Sequence, residues 1–69
     1  MRYAMIIEAG EQNYSAYLPD LPGCVATGRT LEEVRQRMRE AIALHLAGLR
    51  EDGLPIPKPT TLADYVEAA

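Results

Sequence analysis

From residue 30 onward the apolar positions recur at steps of three and four. Leu31, Val34, Met38, Ala41, Ile42 and Leu49 fall on one stripe, with His45 among them, and charged residues take the other side. That is the period of a helix and not of a strand. The start is marked by Thr30 and Glu33, spaced as a capping box: the hydroxyl takes the third helical amide and the carboxylate reaches back to the cap's own amide. The end is marked by Gly53, with Pro55 and Pro57 blocking continuation. These signals predict a helix over about 31–52.

The first third of the chain has a different period. In residues 2–8, Tyr3, Met5 and Ile7 alternate with Arg2, Ala4, Ile6 and Glu8, which predicts a strand. Its second set is not cleanly polar, because Ala4 and Ile6 sit in the middle. A strand that is apolar on both sides is covered on both sides, and one helix covers only one. The pattern therefore predicts an apolar face for a second chain to cover. Gly10 to Asn13 is rich in turn formers, and 14–18 reads as a second strand with Tyr14, Ala16 and Leu18 opposite Ser15 and Tyr17. Pro19-Asp20-Leu21-Pro22-Gly23 is a stiff corner, followed by a short third strand over 24–27. After the helix, the alternating prolines of 54–60 give an extended connector, and 61–66 is a weak final strand. A long return from the helix lets that strand run parallel to the first. The expected fold class is α+β: strand, strand, strand, helix, strand, in a mixed sheet of order 3-2-1-4 with the helix on one face.

Length and charge narrow this further. Sixty-nine residues make one small domain, and such domains often gain stability by oligomerising or by binding a partner. A net charge of −3 speaks against a nucleic-acid surface and suits a basic partner. No run of the chain is apolar over a bilayer's width, and the N-terminus lacks the pattern of a signal peptide, so the expected location is the cytoplasm with no membrane contact.

Candidate chemistry is sparse. Cys24 is the lone cysteine, with no neighbouring base to form a thiolate, and reads as a buried small apolar residue. His45 lies on the apolar stripe and reads as an imidazole packed at the core margin. Asp20, in its Pro-rich corner, reads as a bond to local amides. The arginines of the helix alternate with acids and form no basic stripe. Leu44 is the exception on the helix, an apolar residue on the side that should meet solvent. No cofactor or metal set is visible in the spacing of His, Cys, Asp and Glu.

Several stretches resemble one family. Tyr14-Ser15-Ala16-Tyr17-Leu18-Pro19-Asp20-Leu21-Pro22-Gly23-Cys24 is similar to the tyrosine-rich strand and PDLPGC corner of HicB-like antitoxins. Thr27-Gly28-Arg29-Thr30-Leu31-Glu32-Glu33 resembles their helix start, Glu40-Ala41-Ile42-Ala43-Leu44-His45-Leu46 their E-A-I-x-L segment, and Glu51-Asp52-Gly53-Leu54-Pro55-Ile56-Pro57 their helix exit. The matches cover about residues 2 to 59 in order. The resemblance implies a truncated RNase H-like unit and a type II toxin–antitoxin role: binding a small basic HicA-like RNA-cleaving toxin and occluding its active site. Members often add a C-terminal DNA-binding module; with Ala69 the last residue, no direct DNA binding is expected.

RNase H-type catalysis would need carboxylates converging on metal ions. Only Glu8 and Asp64 lack another explanation, and two are too few, so the chain is expected not to be an enzyme. The expected partner interface takes Ala4, Ile6, Glu8, Tyr17, Asp20 and Leu44. The alternative is an orphan structural or ligand-binding domain that buries its sheet against its own copy. A homo-oligomer, dimer or tetramer, is expected under either reading.

Overall fold

The computed structural model describes residues 1–69. Three short strands come first: β1 (Ile6–Ala9), β2 (Tyr14–Tyr17) and β3 (Val25–Gly28). They form one antiparallel sheet in the order β1-β2-β3. The register sets Ile6 opposite Tyr17 and Tyr17 opposite Val25. One residue on, Ile7 faces Ala16 and Ala16 faces Ala26. Because side chains alternate, the first row lies on one side of the sheet and the second on the other.

The helix α1 (Leu31–Glu51) covers the side that carries Ala16 and Ala26. It packs over β3 and β2 and makes no close approach to β1. Val34 and Met38 are its buried residues, and with Ala16, Leu18, Leu21, Cys24 and Ala26 they make up the core. Tyr3, Met5 and Ile7 pack against this core from the margin and are only half-buried, because the helix sits off-centre. The corner of residues 19–23 earns its place by delivering Leu21 into the centre of the core, while Gly23 takes the positive φ of 87° that the turn needs.

Both helix ends are fixed as their sequence requires. Thr30 Oγ1 accepts from Glu33 N–H at 3.0 Å. The return bond lands one residue earlier than the sequence pattern predicts: Glu33 Oε1 accepts from Arg29 N–H at 3.0 Å, and the same oxygen lies 3.4 Å from the Arg37 guanidinium. At the other end Gly53 takes φ 68°, its N–H donates to Arg50 O, and Leu54 N–H donates to Leu49 O. This pair of bonds is the glycine-dependent stop that closes a helix in a left-handed turn. Gly28 serves closeness and not φ. A Cβ there would stand 2.8 Å from the backbone nitrogen of Val34, so only glycine lets β3 run against the first turn of α1.

The fourth strand expected at 61–66 does not form, and with it the mixed sheet of order 3-2-1-4 gives way to a purely antiparallel three-stranded one. Residues 62–65 do run past β1, near Met5, Ile6 and Ile7, but without ladder bonds. The composition explains this. Ala63, Asp64, Glu67 and the closing alanines are weak strand formers, and Asp64 accepts from Tyr65 N–H, which occupies an amide that a ladder would use.

Candidate functional site: the uncovered face of the sheet

The helix shields one side of the sheet and leaves the other bare. On the bare side Ile6, Tyr17 and Val25 lie in a row across all three strands. Tyr17 is 43% and Val25 64% exposed, high values for large apolar residues in adjacent strands. The next row on the same side is Glu8, Ser15 and Thr27, polar throughout. The face thus has an apolar strip beside a polar margin that carries one carboxylate. That combination suits protein contact: the strip loses water on docking and the margin sets orientation.

Of the residues expected at the interface, Ile6, Glu8 and Tyr17 are brought together on this face, while Ala4 lies before β1, beside Thr61, Leu62 and Ala63. Leu44 is 78% exposed but belongs to the helix layer, on the other side of the sheet. Asp20 has a different occupation. Its Oδ2 accepts from the backbone N–H groups of Thr60 and Thr61 at 2.9 and 2.8 Å. Its Oδ1 accepts from the two threonine hydroxyls at 3.1 and 2.7 Å. The expectation of a bond to local amides is therefore corrected: this carboxylate ties down a segment forty residues away. The stiff corner holds Asp20 outward, and the Pro-rich connector brings Thr60 and Thr61 back across the molecule to meet it. The bonds from Thr61 hold the Asp20 carboxyl below its ordinary range. Tyr3 fixes the same connector a few residues earlier, donating from its hydroxyl to Pro57 O at 2.6 Å.

Sequence reasoning missed Val25. The signal was present, since Val25 alternates with the buried Cys24 and Ala26.

The remaining candidates fall into place as structure. Cys24 is buried with its Sγ 3.7 Å from Met38 Sδ, and burial pushes its thiol up, the reverse of what a nucleophile needs. His45 is half-buried, its ring edge against Gly23. No three His, Cys, Asp or Glu side chains gather where they could hold a metal ion. No helix is long and apolar enough to cross a membrane.

Comparison with known proteins decides the family. A family profile described as the HicB_like antitoxin of bacterial toxin-antitoxin system matches residues 3–69. The chain belongs to the HicB-like antitoxin family. Among curated relatives, this HicB-like chain is 36% identical over 66 residues to an uncharacterized 14.9 kDa protein from the rep-hol intergenic region of Haemophilus phage HP1. The match takes in 96% of this chain and 50% of the phage protein, so the chain spans about half that relative's length. It is 43% identical over 49 residues to a UPF0150 protein of Helicobacter pylori, covering 71% of this chain and 68% of that one. Among solved structures, a chain of the HicA3 and HicB3 toxin-antitoxin complex superposes with a TM-score of 0.73 at 30% identity, over 86% of this HicB-like chain and 69% of the other.

Proposed function

We propose that this HicB-like chain is an antitoxin module that binds a small basic HicA-like RNA-cleaving toxin through the uncovered face of its sheet, and blocks the toxin's active site by covering it. The observation that carries this reading is the row Ile6, Tyr17 and Val25, apolar across three strands on the side the helix leaves bare, half-buried at Ile6 and exposed at Tyr17 and Val25. Membership of an antitoxin family and likeness to a chain of a toxin–antitoxin complex support it. The net charge of −3 favours encounter with a basic partner, and the apolar row would hold the complex once formed. In this mechanism the antitoxin needs no chemistry of its own: it excludes RNA by occupying the surface that RNA would use.

The test is co-expression of the chain with a small basic protein encoded beside it. Joint purification and relief of growth arrest are the expected results. The V25D variant, which places a charge in the apolar row without touching the core, should lose both. A neighbouring toxin that arrests growth equally with and without the chain would contradict the reading.

A further inference from the structure

Because α1 packs over β3 and β2 and makes no close approach to β1, a cleft of roughly 600 Å³ opens between it and the segment that leads into β1. The helix contributes Arg35, Met38, Arg39 and Ile42, whose spacing puts them on one side of it. The floor is apolar, built from Met5, Met38 and Ile42. The rim is Arg2, Arg35 and Arg39, and no acidic residue lines the cleft. None of the three guanidinium groups lies within ion-pair distance of a carboxylate: the single ion pair of the molecule joins Arg37 and Glu33, and Arg39 donates to the neutral amide oxygen of Gln36. Along the sequence the helix arginines alternate with acids. Folding turns Arg35 and Arg39 the same way and brings Arg2 up to them. In a chain with ten acids and seven bases, this is a spot of opposite sign to the whole, and a basic partner does not suit it.

Unpaired guanidinium groups around an apolar floor select an anion with an apolar body. The make-up of the cleft says which kind. The floor is thioether and aliphatic, with no polar side chain to read the edge of a base or the hydroxyls of a sugar. The one aromatic ring of the cleft, Tyr3, has its hydroxyl committed to Pro57 O at 2.6 Å. Methionines adapt to a flexible occupant better than they stack on a planar one. The three cations ring a single cleft and form no groove along which an extended polyanion could run. The volume lies in the range of small-molecule sites.

We infer that this cleft binds a single-chain anionic amphiphile of the fatty-acid class, its carboxylate held by Arg2, Arg35 and Arg39 and its alkyl chain laid over Met5, Met38 and Ile42. Guanidinium groups take a carboxylate through paired N–H bonds, and the chain loses water against the floor. The site belongs to the helix layer, apart from the row Ile6, Tyr17 and Val25, so the inference does not rest on the antitoxin reading.

Decanoate, titrated below its micelle-forming concentration into the full chain carrying methyl-labelled methionine and valine, tests this by NMR. The Met5 and Met38 methyl signals should shift together and saturate, while those of Val25 on the sheet face stay fixed. Two controls on the same chain fix the chemistry. Decyltrimethylammonium keeps the chain and reverses the charge; acetate keeps the head and drops the chain. Each should bind at least about tenfold more weakly than decanoate. R35E/R39E alters two exposed side chains and should weaken decanoate about tenfold while strengthening decyltrimethylammonium. R35Q/R39Q should fall between, and serves if the reversal disturbs folding. No saturable shift with decanoate, or equal binding of the two amphiphiles, would overturn the inference. So would methionine shifts obtained with phosphatidylglycerol vesicles or with an RNA oligonucleotide but not with decanoate, which would assign the arginines to a membrane surface or to nucleic acid. Methionine signals that depend on protein concentration and resist decanoate would show another copy of the chain covering the cleft, and would also overturn it. Binding of the basic partner, measured in parallel, should be unchanged in R35E/R39E, which separates failure here from failure of the antitoxin reading.

Discussion

Asp20 shows how one side chain can hold two distant parts of a small chain together. Both its oxygens are used twice, by two amides and two hydroxyls of Thr60 and Thr61. Four donors onto one carboxylate favour the charged form, so the folded-state value lies below the ordinary 3.8. The linkage has a definite sign. The clamp's contribution is fully present above the unfolded-state value and is lost as pH falls through the lower, folded-state one. On acidification below about pH 4, the Thr60 and Thr61 amide signals should move toward free-tail positions in a single titration step while core signals stay fixed. The D20N variant should show free-tail positions at neutral pH, because the carboxamide turns a donor toward two donors. Signals in D20N that match wild type would show that the tail is held by something else. On the bare face, Y17A removes a half-exposed ring from the row. Its effect on stability should stay within about 0.5 kcal/mol, as for other surface changes. Its effect on toxin binding should exceed about tenfold if Tyr17 anchors the interface. Calorimetric binding and thermal unfolding of the same variant separate the two.

Among the elements, helix and strands differ in how openly the sequence declared them. The helix was legible from end to end, because its signals are local. Thr30 and Gly53 act within one turn, and the stripe repeats often enough to fix the face. T30A should cost about 1 kcal/mol by leaving helix amides unpaired, measurable in denaturant unfolding. The three strands and the order 3-2-1 were legible too, since tight connections force neighbours to pair. Three features were not. The close approach of β3 to the first turn of α1 depends on Gly28, whose closeness to Val34 is a contact between elements and leaves no periodic trace. G28A should destabilise by about 1–3 kcal/mol, because the atom it would meet is backbone and cannot turn aside; unfolding at wild-type stability would show that the first turn of α1 shifts freely. The clamp on Thr60 and Thr61 joins residues forty apart, beyond any local pattern. The final strand was read from Leu62, Tyr65 and Val66, which have strand-like character but no ladder partner in the single chain. Of the candidate site, an uncovered face was expected from the two-sided apolarity of residues 2–8, and the register places Ile6, Glu8 and Tyr17 on one side of the sheet. Asp20 and Leu44 were added from corner position and from exposure, and neither criterion says which side of the sheet a residue occupies.

At the scale of the whole molecule, a three-stranded sheet with one helix has one face too many for a single chain to cover. The core is only seven apolar residues, and apolar surface lies open in two places of opposite electrostatic character. The sheet face, with Glu8 at its margin in an acidic chain, is the surface proposed above for a basic partner. A molecule built this way is completed by what it binds, and family membership agrees with that physical reading. The most direct test is side-chain and amide NMR of the chain titrated with a small basic protein encoded beside it, the partner class proposed above. The account expects the signals of Ile6, Tyr17 and Val25 to shift and gain protection together, while Leu44 on the helix is unmoved. Shifts confined to the helix, or a toxin that binds with the sheet face unperturbed, would contradict it.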